Sequence, residues 1–433
     1  MPSSRSRLSV FVTFAAAVVF TLVLLYTLSS TVATHKRSRI LKTWAASLGS
    51  EADLMARHPS RETNESALEV ERLAAAVGVD MTPRSAGEGR RPTPRDADAY
   101  KTAKRPVAEY LDRQIERPEA GLALPPDAVA DFLAERADKL DALRAHLLHG
   151  PQPLWELRIE ELANSSVPNL LGHINLLKLL LADALARAAT GDGEQAIDSF
   201  EASWRLTSAL RDDPLLITQT ITISNARLQA GVLRRLESVP EGWSERLNEH
   251  DYRRSLLEGL QIESWTWMRL DNPGTLYEIS PLQRAVFAAA RPYARYCTAD
   301  LSEAWHRRLV EVSELDYLCD RGADLDIPVP QWNFVGRIAV PGYSGVIEPV
   351  ARLEIDLELT SKLLELRSAR DANDGAWVAS LPGIESSRVC PRDRWIYEVD
   401  PGGGMSIALD RAIEWADPRG AVLPTRFVAP SRP

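Results

Sequence analysis

The chain has 433 residues, of which 45% are hydrophobic and 26% are charged, and its formal net charge is −9. This is the composition of a globular protein with a sizeable core, and the length suggests two or three folded units. The acidic balance, without a stripe of lysine and arginine, argues against a nucleic-acid partner, because such a partner requires clustered basic residues.

Residues 8–28 form a long uncharged run, LSVFVTFAAAVVFTLVLLYTL. At about 1.5 Å of rise per residue, this run is long enough to cross a hydrocarbon core of about 30 Å. A cleaved signal peptide, cut after Thr31-Val32-Ala33, is the alternative, but the apolar region of such peptides is normally about 7 to 15 residues. We therefore predict that residues 1–7 are a short basic tail and residues 8–28 an uncleaved transmembrane signal anchor.

Basic residues flank the predicted anchor on both sides. They are Arg5 and Arg7 before it, and Lys36, Arg37, Arg39 and Lys42 after it. Lysine and arginine tend to stay in the cytoplasm, and by count the second group favours a cytoplasmic location for the large portion. However, translocation of a basic tail is unusual for a first helix, and long domains cross largely regardless of charge. We expect a single-pass protein of the inner (cytoplasmic) membrane, with a periplasmic C-terminal portion and the second basic group against lipid head groups.

Beyond the anchor, apolar residues recur at helical spacing through most of the chain. Residues 81–98, MTPRSAGEGRRPTPRDAD, predict a flexible linker because they are rich in proline, glycine and charge. Residues 320–349 contain prolines with aromatic residues between them, and predict a long ordered loop. The predicted units are membrane-proximal helices at 34–80, the linker at 81–98, a helical domain at 99–319, the loop at 320–349 and a C-terminal unit at 350–433.

The helical domain is predicted to consist of helix pairs that follow one another. Residues 167–189 are apolar on nearly every side, which is typical of a helix buried among others. After Gly191, Asp192 is placed to cap the next helix, with Gln195 three residues further on. This pair resembles a tetratricopeptide hairpin, although no second copy follows at a period of about 34 residues. The matching positions are Leu180, Ala184, Gly191, Ala196 and Phe200.

The sequence pattern of the C-terminal unit predicts a helix and then a hairpin. Residues 350–370 have helical periodicity, whereas residues 395–399 alternate as a strand and turn at Pro401-Gly402-Gly403-Gly404 into a second strand. The predicted fold class is mainly α: one N-terminal transmembrane helix, then an array of antiparallel helix pairs with a small C-terminal β-hairpin.

Two stretches carry a resemblance to a known group. One is the Gly191-Asp192 hairpin leading to Asp213-Pro214. The other consists of a helix followed by Gly375, Trp377, Ser380-Leu381, Cys390-Pro391, Trp395 and Tyr397. Together they resemble a loose group of uncharacterised bacterial membrane-anchored helical proteins, whose endings often have proline where this chain has Val378. The resemblance covers about half the chain, supports the architecture and implies no activity.

Three cysteines allow one disulfide. Cys297 falls in a predicted helix, whereas Cys319 follows a helix end and Cys390 lies in a loop before a proline. If a disulfide forms, we predict that Cys319 pairs with Cys390, which contributes about 2–4 kcal/mol in an oxidising compartment. Three separate buried thiols are the alternative.

Candidate site residues are few. Trp332, Phe334 and Tyr343 either line a binding groove in the predicted loop or cover the core. Glu354 and Glu358 stand four residues apart on a predicted helix, where they form either a catalytic carboxylate pair or a solvated face. Motifs for zinc, P-loop, dinucleotide and serine chemistry are absent from the sequence, so we predict no metal and no cofactor, and the catalytic residues, if any, stay unknown.

The predicted function is therefore a binding function rather than an enzymatic one. We expect a single-pass membrane-anchored helical domain that binds a protein partner or a cell-envelope component. The alternatives are an envelope hydrolase that uses acidic residues such as Glu354 and Glu358, and a structural spacer.

Overall fold

The chain folds mainly into helices, and a small sheet follows at its C-terminal end. The computed structural model describes residues 4–83, 94–117, 121–164, 167–269, 280–314, 327, 329–339, 344–410 and 426–429. The helices are α1 (Ser4–Leu48), α2 (Glu51–Arg57), α3 (Glu65–Ala76), α4 (Pro94–Glu116), α5 (Asp127–Glu135), α6 (Ala137–His149), α7 (Leu170–Ala189), α8 (Gly193–Arg211), α9 (Leu216–Leu233), α10 (Trp243–Leu247), α11 (Tyr252–Arg269), α12 (Pro281–Glu314), α13 (Phe334–Ala339) and α14 (Ser344–Asp371). A short 3-10 helix spans Ile159–Asn164.

The sheet contains β1 (Trp395–Val399), β2 (Met405–Leu409) and β3 (Arg426–Ala429), antiparallel and in this order. Tyr397 pairs with Ile407, and Ile407 pairs with Phe427. The predicted hairpin is thus β1 and β2, and β3 adds a third strand. The predicted fold class is confirmed: the chain is mainly α, with one long apolar N-terminal helix and a small C-terminal sheet.

Helices α7, α8 and α9 pack against one another at the centre of the larger core. The turn between α7 and α8 follows the prediction: Gly191 has a φ of 87°, and the Asp192 side chain accepts a hydrogen bond from the Gln195 amide and caps α8. Helix α7 is buried over most of its surface, as its all-round apolar sequence predicts, and Leu171 at its start is 64% exposed.

Helix α14 separates the larger core from a second, smaller one. Leu353 and Leu357 pack into the larger core with the other helices. Leu359 and Leu363, on another face of the helix, pack with Trp395, Ile407 and Phe427 of the sheet in the smaller core. Because both sides of α14 are covered by apolar neighbours, the charged residues of this helix lie along the seam between the cores.

Two predicted segments overlap helices of the structure. Helix α4 begins inside the predicted linker at 81–98, of which residues 84–93 lie outside the described residues. The predicted loop at 320–349 contains α13 and the first residues of α14. Proline inside a helix costs a hydrogen bond and favours a break, but α14 continues through Pro349. Tertiary packing of a long apolar helix outweighs that local cost, and proline spacing alone therefore predicts too much loop.

Candidate functional site

The predicted aromatic site lies beside the apolar helix. Trp332 and Phe334 are 48% and 63% exposed at the turn that leads into α13. Trp332 lines a groove of about 950 Å³ between α1 and α12. Tyr343 lies outside the described residues. The role of these aromatic residues in binding stays a prediction.

The two carboxylates of the predicted pair have different partners in the structure. Glu354 pairs with Arg253 of α11, with the Nη2 and Oε2 atoms 2.6 Å apart. Glu358 is buried and accepts hydrogen bonds from the Ser387 hydroxyl at 2.9 Å and the Arg388 amide at 2.6 Å. The interpretation as a solvated face is therefore wrong for Glu358, because the loop that follows α14 covers it. Both carboxylates hold elements together, which removes the motive for a hydrolase built on them.

The two cysteines that the structure describes differ in their bonding. Cys390 is disulfide-bonded, and Cys297 is a buried thiol of α12. Cys319, the predicted partner of Cys390, lies outside the described residues. The pairing of Cys319 with Cys390 stays a prediction.

A cleft of about 690 Å³ opens where the C-terminal ends of α9 and α14 meet the α7–α8 turn and the sheet. We call it the arginine cleft. Its charged and aromatic lining includes Arg234, Arg235, Glu237, Arg367, Arg370, Trp377 and Phe427, so four arginines face one carboxylate. The cleft lies at the end of the seam between the two cores, and its volume is in the usual range for sites that take small ligands.

Two of these arginines join α9 to α14, and each helix supplies one of them. Arg234, from the end of α9, donates to the Asp356 carboxylate at 3.2 Å and to the Thr360 hydroxyl at 2.9 Å. Arg367, from α14, donates to the carbonyls of Arg234 at 2.7 Å and Leu236 at 2.5 Å. A cation at the C-terminal end of a helix satisfies carbonyls that lack helical partners and complements the helix dipole.

Arg367 brings a positive charge to the cleft without forming an ion pair. Among the described residues, no carboxylate lies within 4.0 Å of its guanidinium, whose hydrogen bonds go to main-chain carbonyls. Burial lowers the pKa of Arg367 to about 10, with a further lowering by the charge of Arg370, while Glu237 acts in the opposite direction. Arg367 is still protonated at pH 7, and the cleft therefore favours negative charge.

Arg370 and the turns around it also line the cleft. Its guanidinium lies 4.9 Å from the centre of the Trp377 ring, and its Nε donates to the Asp371 carboxylate at 2.9 Å. Gly375 and Gly403 also line the cleft, each with φ of 82°. A Cβ at Gly403 meets nothing within 4 Å, so the wall there is open. The arrangement suits an anionic group against the arginines with an apolar part against Trp377.

No pattern in the sequence predicts this cleft. The available signal was a pair of adjacent arginines at the end of one predicted helix and two arginines three residues apart at the end of another. Basic residues at helix ends have a plain electrostatic explanation, so nothing in the pattern indicated that the two ends meet.

No family model, no curated protein and no solved structure matches the chain. The resemblance to membrane-anchored helical proteins stays a prediction. Within the described part of the chain, no group of three or more histidine, cysteine, aspartate and glutamate residues is placed to hold a metal ion. The arginine cleft and the apolar helix are therefore the features that bear on function.

Proposed function

We propose that this chain is a single-pass membrane-anchored binding protein whose arginine cleft takes the anionic group of a protein or cell-envelope component. The observation that carries the proposal is the charge of Arg367, which is buried at the cleft, donates its hydrogen bonds to main-chain carbonyls and forms no ion pair with a described carboxylate. Arginine forms bidentate hydrogen bonds with carboxylates and phosphates, and bound anion offsets the cost of burying the cation.

The test is calorimetric titration of the full chain, in detergent at low ionic strength, with inorganic phosphate and with succinate. We expect saturable binding of at least one anion, weakened by added salt. Arg370→Gln, in the lining of the cleft, is expected to weaken binding by about 10-fold or more, since hydrogen bonds to charged groups contribute about 1.5–3 kcal/mol. Arg370→Lys keeps the charge and should retain part of the affinity.

The matched control is Arg254→Gln. Arg254 lies on α11, and its side chain is 68% exposed at a position that does not line the cleft. The control variant should bind as the unsubstituted chain does. The proposal is wrong if neither anion binds the unsubstituted chain, or if the Arg370 and Arg254 variants bind equally well.

The membrane part of the proposal rests on α1. Within the described residues, one helix is long and apolar enough to cross a membrane. We propose that it anchors the chain in the inner membrane with the C-terminal portion in the periplasm. Fusing the C-terminus to a reporter active only outside the inner membrane, and separately to one active only inside, tests the orientation. External activity supports the proposal and an oxidised Cys319–Cys390 pair, whereas internal activity places the portion in the cytoplasm.

A further inference from the structure

Helix α12 runs beside α1 and parallel to it. The contacts are, in order along both helices, Tyr26 with Ala288, Lys36 with Asp300, and Arg39 with Glu303. The partners in these three contacts are separated by 262 to 264 residues, so a nearly constant offset relates this part of the two helices. Further along, Ser47 contacts His306 with a separation of 259 residues. With the offset of the first three contacts, residues 281–293 lie beside about residues 18–30 of α1. We call residues 281–293 the α12 flank.

The α12 flank overlaps the second half of the apolar run at 8–28. Ten residues of helix rise about 15 Å, which is half of a hydrocarbon core of about 30 Å. If the run crosses a bilayer, the start of the α12 flank therefore lies near the middle of that bilayer.

The surface of the α12 flank is apolar and exposed. Leu282 is 75% exposed and Val286 is 60% exposed, and they continue the exposed apolar surface of α1 around Phe20. Apolar side chains on this scale are rarely left open to water in a soluble protein. The charged residues of the α12 flank are Arg284 and Arg291, and an arginine side chain is long enough to extend toward lipid head groups.

Further along the two helices, toward their C-terminal ends, aromatic side chains follow the apolar surface. The Tyr293 hydroxyl donates a hydrogen bond to the Trp332 carbonyl and accepts one from the Phe334 amide at 3.2 Å. The aromatic residues that line the groove between α1 and α12 are Tyr26, Tyr293, Tyr296 and Trp332. The charged pair of Lys36 and Asp300 lies beyond them.

Apart from Arg284 and Arg291, the order along both helices is therefore apolar, then aromatic, then charged. A bilayer presents the same order from its hydrocarbon core, through an interface rich in tryptophan and tyrosine, to water. A protein partner has no reason to match this depth profile on two helices at once.

We propose that the α12 flank is inserted into the bilayer leaflet that holds the C-terminal half of the apolar run, with Trp332 and Phe334 at the head groups. The partner of this surface is lipid: acyl chains against Leu282 and Val286, and head groups around the aromatic residues. The inference rests on the membrane anchor of the proposed function. The chain is then attached to the membrane at two places, α1 and the α12 flank. Two attachments fix the orientation of the folded portion relative to the membrane.

The test places spin labels on the full chain in vesicles of phosphatidylethanolamine and phosphatidylglycerol. Leu282→Cys and Val286→Cys report on the α12 flank. Phe20→Cys reports on the anchor and Leu124→Cys on a water-exposed loop, and the unsubstituted chain, treated with label, supplies the background. All four positions are exposed, so no core contact is changed. Collision with oxygen, which enters lipid, is compared with collision with a water-soluble nickel chelate.

We expect the oxygen-to-nickel ratio at positions 282 and 286 to match that at position 20 and to exceed that at position 124 severalfold. The inference is overturned if positions 282 and 286 match position 124 while position 20 does not, since the anchor then stands alone. It is also overturned if both positions are shielded from both reagents, which indicates a covering protein such as a second copy. A water-exposed position 20 instead refutes the anchor of the proposed function, together with this inference.

Discussion

Lys36 of α1 forms an ion pair with Asp300 of α12, and its ammonium also lies 4.5 Å from the centre of the Tyr296 ring. Burial lowers the pKa of Lys36 while the hydrogen bond and charge of Asp300 raise it, and the net effect is an increase. Lys36 belongs to the basic group that the sequence analysis assigned to lipid head groups. Its contacts instead join the apolar helix to the folded portion.

Removing this ion pair should loosen the junction. Lys36→Met keeps the aliphatic stem but leaves Asp300 without its cation, and we expect a loss of about 1–2 kcal/mol, between the values for exposed and buried pairs. Denaturant unfolding of the full chain in detergent measures it. Lys42→Met, at an exposed position on the same helix, is the matched control and should change stability little. Equal losses in the two variants contradict the assignment.

Gly172 lets α7 approach the chain segment that follows α3. A Cβ at Gly172 would lie 2.2 Å from the Asp80 carbonyl oxygen and 2.9 Å from the Met81 Cα atom. Because both neighbours are main-chain atoms, Gly172→Ala should cost about 1–3 kcal/mol or more in unfolding free energy. Gly193→Ala is the control: nothing lies within 4 Å of its Cβ position in α8, and alanine there should be neutral or stabilising by up to about 1 kcal/mol. A neutral Gly172→Ala would refute the close approach.

Asp213 should make the protein more stable in mild acid than at neutral pH. Burial raises its pKa from 3.8 to about 6, against the opposing hydrogen bond from the Leu215 amide and charge of Arg61. The favourable contribution of the neutral acid is fully present below pH 3.8 and is lost as the pH rises through about 6.

Asp213→Asn keeps a neutral side chain at all pH values. It should exceed the unsubstituted chain in stability at pH 7, by at most about 3 kcal/mol, with a difference that shrinks toward pH 4. Denaturant unfolding at several pH values measures the difference. Asp212→Asn, at the exposed neighbouring position, is the control. The same pH profile for both variants counts against the assignment.

His173 is fully buried in α7, with its ring edge-on to Trp155 at 4.4 Å. Neither ring nitrogen has a hydrogen-bond partner among the described residues, and burial lowers the pKa to about 3. The neutral ring therefore contributes stability that is present above pH 6.5 and is lost as the pH falls toward 3, opposite in sign to Asp213.

His173→Leu should raise the unfolding free energy by about 1–3 kcal/mol at pH 7, because it removes two buried polar atoms without partners. The gain should increase in acid. Chemical unfolding at pH 7 and pH 5 measures both effects, and His149→Leu, at an exposed position at the end of α6, is the control. A less stable His173→Leu at both pH values would indicate that the ring nitrogens are satisfied.

The sequence by itself determined the local features. The uncharged run at 8–28, the all-round apolar α7, the Asp192 cap and the strands β1 and β2 all follow from periodicity or from a side chain that acts within a few residues. Such signals are short-range, and the same interaction that produces the pattern stabilises the element.

Only the tertiary structure decided where charged groups are buried. Glu358 is buried because a loop about 30 residues later covers it, and Arg367 lines a cleft because the end of α9, over 130 residues away, lies beside it. Helical periodicity reports that one face of an element is covered but not by what. The arginine cleft and the alignment of α12 with α1 depend on which elements meet, and the free energy of burying their charges is set by those partners rather than by neighbours along the chain.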